Sequence, residues 1–288
     1  MSELASDFWS AFFLGAVSAF FLWFGFRKGF FEHTPHASWK PPITLWHICF
    51  AFGLYFALVL LAAPLSAIFL KSSHLTPIGY ASWINFLVST SIFIALFAFW
   101  KILPKPLRDS LWKAPDASQD WKTDFRFAFY TWCIAFPVAF AASQILDFLV
   151  LYLFKIKDLP DQLAVYFVKM AFSDPLYFLL AGISVLLLAP MIEEFLFRGL
   201  LQSFIRKHLG PKSAILISSL SFSFFHYSSQ QGFSNIPIIG SLFTFALFLG
   251  FLYEKQGSLF ASMALHSLFN AISVLNLYLF KDFPHGAL

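Results

Sequence analysis

Charged residues are scarce in this chain of 288 residues: Asp, Glu, Lys and Arg make up 12% of it, against about 25% in an ordinary soluble domain. Hydrophobic residues make up 59%, and mean hydropathy is +0.73. A water-soluble globular protein is therefore excluded, and we expect a protein embedded in a lipid bilayer. The net charge of +4 is small and dispersed, which argues against nucleic-acid binding. The two cysteines, Cys49 and Cys133, lie far apart in apolar runs and indicate neither a disulfide framework nor a metal site.

Apolar stretches long enough to cross a membrane recur along the chain. A transmembrane helix needs about 20 predominantly apolar residues, and eight largely uncharged stretches approach or exceed that length. The sequence therefore predicts an all-α fold, a polytopic transmembrane bundle of about eight helices. The stretches cover residues 8–26, 44–70, 79–100, 127–154, 175–192, 213–228, 236–253 and 257–280.

Basic residues are distributed unevenly between the loops. Most of the 19 Lys and Arg residues follow the first, third, fifth and seventh stretches, so these loops are predicted to face the cytoplasm. The longest of them, Lys101 to Arg126, separates two parts of one integrated membrane domain. We predict residues 1–126 to be N-terminal membrane helices with a cytoplasmic connector, and residues 127–288 to be the core that carries the chemistry. If the source is bacterial, this multi-pass protein would lie in the inner (plasma) membrane.

Ionisable side chains within apolar spans are costly and are therefore functional candidates. Glu193 and Glu194 close the fifth stretch, His226 lies late in the sixth, and His266 and Asn270 lie in the eighth. Two histidines and a carboxylate from three helices could activate a water by general base catalysis. Alternatively, Glu193, His226 and His266 could bind a divalent metal such as zinc.

Helical spacing organises this cluster further. Glu194 and Arg198 are four residues apart, with the acid first, so they share a helix face and can pair. Glu193 is turned by about 100° from Glu194 and is left free to point elsewhere. Taken singly, such groups are more typical of solvated helix ends or hydrogen-bonded core residues, so the functional interpretation depends on their combination. Phe222 and His226 are also four residues apart, as are His266 and Asn270, so each pair shares a helix face.

In this order, the motifs resemble those of the CPBP family of intramembrane proteases. That family includes the type II CAAX prenyl endopeptidases and the bacterial Abi proteins. The resemblance covers residues 175–288, whereas the front half of the chain is similar only in spanning the membrane. The three motifs are Glu193-Glu194-x-x-x-Arg198, Phe222-x-x-x-His226 and His266-x-x-x-Asn270.

The resemblance implies an all-helical intramembrane endopeptidase. Whether such an enzyme is a metalloprotease stays open. In such an enzyme, Glu193 and His226 would activate the attacking water, and His266 and Asn270 would stabilise the oxyanion. Glu194, Arg198 and Phe222 would support the site. The partners implied are the lipid bilayer and a peptide or protein substrate, which could carry a prenyl group.

Two other classes of protein remain open. A non-proteolytic immunity or scaffold protein of the same fold would keep the cluster as a structural network. A transporter would use the acid and the histidines to relay protons or bind an ion. The transporter would need further polar residues leading to the opposite face, yet the outer halves of these spans are almost purely apolar.

Overall fold

Helices make up the protein in the computed structural model, which describes residues 2–32, 36, 39–71, 74–117, 120–156 and 158–280. These residues contain no β-strand, and one isolated bridge joins Lys113 to Ser258. The all-α prediction is confirmed. The α-helices are α1 Ser2–Arg27, α2 Leu45–Leu70, α3 Pro77–Ile102, α4 Lys105–Trp112, α5 Trp121–Phe154, α6 Leu163–Ala171, α7 Pro175–Ile183, α8 Ala189–Glu194, α9 Ser203–Phe225, α10 Asn235–Gln256 and α11 Leu259–Leu279.

The chain stays helical from α7 to α9 but changes its hydrogen-bonding register twice. Two π-helical segments, Ser184–Leu188 and Phe195–Gln202, flank α8. At Gly210 the backbone leaves the helical region, with φ 81° and ψ 170°, and Pro211 starts the next limb. Because a positive φ is readily adopted only by glycine, Gly210 fixes the turn between the predicted fifth and sixth spans.

Six helical stretches of the described chain are long and apolar enough to cross a membrane. One of them, Pro175–Phe225, is the stretch that Gly210 divides into two limbs. The apolar segment of α1, Phe12–Arg27, is shorter. If Pro175–Phe225 is counted as two spans and α1 is included, the architecture comes close to the predicted eight helices.

Cap residues fix the ends of the helices that carry the site. Asp174 accepts two backbone hydrogen bonds from the first turn of α7, and Pro175 occupies the first helical position. Gly257 ends α10 with φ 56°, and a Cβ there would lie 2.7 Å from the Cβ of Ala114. A side chain at Gly257 would therefore be strained and crowded, and the tight turn leads directly into α11.

The loops rich in Lys and Arg meet at one end of the bundle, which we call the basic end. Arg206 donates a hydrogen bond to the Trp39 carbonyl and pairs with Glu254 at 2.8 Å. Lys113 forms its bridge to Ser258 at this same end. This arrangement agrees with the sequence prediction that the loops rich in Lys and Arg all lie on the same side of the membrane. That the basic end faces the cytoplasm stays a prediction.

The interior and the surface of the bundle are both apolar. α5 packs against α1, α10 and α11, and α2 packs against α3. Large apolar side chains such as Phe69, Ile102 and Leu60 are more than 70% exposed. An exposed apolar surface of this extent is typical of helices that face lipid rather than water.

Candidate active site

Glu193 faces two histidines from other parts of the chain. It lies in α8, His226 immediately follows α9, and His266 lies in the second turn of α11. Glu193 Oε2 is 3.9 Å from His226 Nε2 and 3.9 Å from His266 Nε2. The structure therefore brings the three residues together as the sequence predicts. Their side chains are 16%, 22% and 6% exposed, so the cluster is largely buried but accessible through Glu193 and His226.

Both imidazole rings have a fixed orientation. His226 Nδ1 lies 2.9 Å from the carbonyl oxygen of Phe222, and His266 Nδ1 lies 2.9 Å from Glu194 Oε1. A carbonyl or a carboxylate oxygen can only accept, so Nδ1 carries the proton in both rings. Each ring therefore presents Nε2 toward Glu193, and in the neutral ring this nitrogen accepts hydrogen bonds.

Glu193 Oε2 is close enough to each histidine Nε2 for one water beside the pair to contact both atoms. At 3.9 Å, Glu193 Oε2 and His226 Nε2 are too far apart for a direct hydrogen bond. One water could hydrogen bond to both atoms across this gap. The site can thus hold a water between a carboxylate and an imidazole nitrogen, which is the arrangement that general base catalysis requires.

Glu194 and Arg198 form the ion pair that their spacing predicts. Arg198 Nη1 lies 2.9 Å from Glu194 Oε1, and both side chains are fully buried. Arg198 Nη2 also donates to the Ala246 carbonyl at 3.1 Å, which ties the π-helical segment Phe195–Gln202 to α10. The same oxygen of Glu194 accepts from His266 Nδ1. Glu194 therefore holds His266 in place as well as pairing with Arg198.

Phe222 packs in the middle of the cluster. Its ring centroid is 4.9 Å from that of His226 and 5.9 Å from that of His266. The Arg198 guanidinium lies 4.7 Å above the same ring, a cation–π distance. Phe222 thus packs against both histidines and is itself part of the buried apolar core.

Asn270 binds the backbone of the helix that carries Glu193. Ala189 N–H donates to the Ser184 carbonyl in the π-helical register. In this register the next acceptor, Val185 O, faces Pro190, which has no N–H to donate. Asn270 Nδ2 supplies the missing donor at 2.9 Å. One of its two amide hydrogens is therefore committed to this backbone contact.

Three details of the site differ from the sequence predictions. Glu193 and Glu194 do not end the fifth membrane-spanning stretch, because helical structure continues beyond them to Gly210. His226 does not lie within a span, because α9 ends at Phe225 and His226 is its C-cap. The contact of Glu194 with His266 was missed, since nothing in the spacing along one helix indicates it.

The three predicted metal ligands, Glu193, His226 and His266, lie near one another. Among the described residues, no set of three His, Cys, Asp or Glu side chains has the geometry to hold a metal ion. Glu193 Oε2 lies 3.9 Å from Nε2 of each histidine, and the Nδ1 atoms are held by the Phe222 carbonyl and Glu194, as the second ring nitrogen of a metal-bound histidine commonly is, so a metal at these three residues stays a prediction. We therefore derive no catalytic step through a metal.

The site lies within a segment that matches a known family. Residues 175–272 match the family model described as type II CAAX prenyl endopeptidase Rce1-like. This segment contains every predicted site residue, from Glu193 to Asn270. Comparisons with curated proteins and with solved structures give no match. Residues 175–272 are therefore similar to the Rce1-like type II CAAX prenyl endopeptidases, and this segment lies within an integral, multi-pass membrane protein.

Proposed function

We propose that this protein is an intramembrane endopeptidase that hydrolyses a peptide bond at the cluster of Glu193, His226 and His266. The observation that carries the proposal is the orientation of the two imidazoles, both of which present Nε2 to one oxygen of Glu193. A structural network would be expected to close these gaps by direct hydrogen bonds. Distances of 3.9 Å instead leave room for a reacting water.

In the proposed mechanism, Glu193 is the general base. A water held between Glu193 Oε2 and His226 Nε2 attacks the carbonyl carbon of the substrate, and its proton passes to Glu193. The C–N bond of the tetrahedral intermediate then breaks. Glu193 returns the proton to the leaving nitrogen, so that the products are a carboxylic acid and an amine. His226 orients the water, because its Nδ1–H is held by the Phe222 carbonyl.

The oxyanion of the intermediate would be stabilised by His266 and Asn270. Because Nδ1–H of His266 already donates to Glu194, the ring can donate from Nε2 only when it is also protonated there. Glu194 holds the ring through Nδ1 and so directs Nε2 toward the reacting carbonyl. The second amide hydrogen of Asn270 would be the other donor. Glu194 is thus a positioning residue for His266 in this scheme.

We propose a peptide or protein substrate with a C-terminal CAAX sequence, reached from the basic end of the bundle. The family description names prenyl endopeptidases, which favours a prenylated substrate. We further propose that residues 1–126 support a catalytic core formed by residues 127–288. In a bacterial cell, the protein would lie in the plasma membrane with its basic end in the cytoplasm.

The proposal is tested by incubating the purified protein with a library of CAAX peptides, prenylated and unprenylated, and by identifying the cleaved bond by mass spectrometry. We expect cleavage within the C-terminal tail and none with Glu193→Ala. If neither peptide set is cleaved, while Glu193→Ala and His226→Ala proteins keep full biological activity, the non-proteolytic scaffold function replaces the endopeptidase.

A further inference from the structure

One polar side chain from the N-terminal part of the protein, Tyr55 on α2, lies beside the candidate active site. The ring of Tyr55 packs against that of Phe225, with the two centroids 5.2 Å apart. Phe225 is the last residue of α9, and its ring centroid lies 6.1 Å from that of His226. α2 therefore borders the cluster on the side of His226, although it lies outside the segment 175–272 that matches the family model.

Aromatic contacts hold this part of α2 against the helix that carries the catalytic acid. Three residues before Tyr55, Phe52 packs edge-on against Phe197 with a centroid distance of 5.4 Å. Phe197 is 1% exposed and belongs to the π-helical segment Phe195–Gln202, which directly follows α8. Its ring also packs edge-on against Phe225 at 5.3 Å. Because such aromatic pairs stabilise one relative orientation of the rings, the position of Tyr55 beside the cluster is well defined.

The hydroxyl group of Tyr55 has no hydrogen-bond partner among the residues that the structure describes. Other tyrosines of the bundle use theirs: the Tyr253 hydroxyl lies 2.9 Å from Ser203 Oγ, and the Tyr80 hydroxyl donates to the Ala67 carbonyl at 3.0 Å. The Tyr55 side chain is partly exposed, and its hydroxyl oxygen is not among the buried unpaired atoms. A molecule that enters the site can therefore reach this hydroxyl.

The hydroxyl lies near the catalytic carboxylate as well as being accessible. Glu193 is the charged side chain whose electrostatic effect reaches the Tyr55 hydroxyl. No direct hydrogen bond joins these two described residues, so Tyr55 does not hold Glu193 in place. The hydroxyl is thus close to the reacting groups and is not committed to any of them.

A peptide substrate brings its backbone groups into these largely apolar surroundings. A backbone carbonyl that leaves water and finds no donor costs free energy. In the proposed mechanism the polar groups of the cluster are already engaged, since Glu193 and His226 hold the water and His266 and Asn270 stabilise the oxyanion. The hydroxyl of Tyr55 is a neutral hydrogen-bond donor. It can satisfy a substrate carbonyl without placing a second charge beside Glu193.

We propose that Tyr55 binds the substrate, and that its hydroxyl donates a hydrogen bond to a backbone carbonyl of the peptide next to the cleaved bond. This role rests on the endopeptidase function proposed above. It makes α2 part of the substrate-binding surface, so that residues 1–126 contribute a substrate contact in addition to supporting the core.

Tyr55→Phe tests the hydroxyl alone, because phenylalanine keeps the ring that packs against Phe225. With the CAAX peptide that the wild-type protein cleaves, we expect kcat/KM to fall about 10- to 100-fold, since a buried carbonyl of the substrate loses its donor. The melting temperature should stay unchanged. Tyr80→Phe is the matched control: it removes the hydrogen bond to the Ala67 carbonyl, so it should lower the melting temperature and leave kcat/KM unchanged. An unchanged kcat/KM in Tyr55→Phe would overturn the proposal, as would a loss of melting temperature equal to that of Tyr80→Phe.

A chemical double-mutant cycle then identifies the acceptor. Each peptide of a series carries one thioamide at a backbone position other than the cleaved bond, because sulfur accepts hydrogen bonds more weakly than oxygen. At one position the thioamide should slow the wild type and have little effect on Tyr55→Phe, since both changes remove the same hydrogen bond. If every thioamide slows both proteins by the same factor, Tyr55 does not bind the backbone and the proposal fails. If the wild type cleaves no peptide, the endopeptidase function fails as well, which separates the two failures.

Discussion

Removing Arg198 should destabilise the protein strongly, and the loss should be reversible by a second substitution. In Arg198→Met the fully buried Glu194 loses its cationic partner and keeps only the hydrogen bond from His266, while the Ala246 carbonyl loses its side-chain donor. Breaking a buried ion pair in this way typically costs about 3 to 5 kcal/mol. We expect a loss of that size in the free energy of unfolding, measured by denaturation in mixed micelles.

The double variant Glu194→Gln/Arg198→Met separates stability from function. Replacing both charges with neutral groups of similar shape should recover most of the stability, because no uncompensated charge stays buried. Cleavage should stay low, because a neutral glutamine accepts the hydrogen bond from His266 Nδ1 less strongly than the carboxylate does. Arg108→Met, on a partly exposed arginine, is the control and should cost at most about 1 kcal/mol. Full activity in the double variant would refute the positioning role of Glu194, and wild-type stability in Arg198→Met would refute the buried ion pair.

Three further outcomes are expected. A membrane-impermeant maleimide added outside the cell should label a cysteine at Asp158 and spare one at Asp116; the opposite pattern would reverse the assigned orientation. Asn270→Ala should lower the cleavage rate about 10² to 10³-fold, as loss of one oxyanion donor does; an unchanged rate would remove Asn270 from the oxyanion site. Treatment with EDTA should leave the rate unchanged, and a loss restored by zinc would establish a metal at Glu193, His226 and His266 instead.

The sequence predicts contacts within one helix better than contacts between helices. Glu194 and Arg198 pair as their four-residue spacing indicates, because that geometry is local. The contact of Glu194 with His266 joins residues 72 positions apart, and only the packing of α11 against α8 creates it. The hydropathy pattern of the sequence does not indicate this contact between Glu194 and His266.

Tertiary contacts also explain why the helix that carries Glu193 is longer than predicted. The polar residues after Glu194 predict a solvent-exposed loop. In the structure these side chains are instead buried and hydrogen-bonded to partners inside the bundle. Gln202 donates to Glu254 and to the Gly250 carbonyl, both at 3.0 Å, so the polar side chains are satisfied inside the bundle. The break comes at Gly210, where the backbone requires a positive φ. A hydropathy profile detects neither the pairs nor this conformation.

The central claim is that Glu193 and His226 act on one water, and the most direct measurement is a comparison of binding and cleavage in Glu193→Gln. Glutamine keeps the size and hydrogen-bonding capacity of the side chain but cannot accept the proton. We predict that this variant binds a CAAX peptide with the affinity of the wild type and does not cleave it. Adding His226→Ala to Glu193→Gln should lower the rate little further, since losses within one catalytic unit do not add. Cleavage by Glu193→Gln at the wild-type rate would contradict the account.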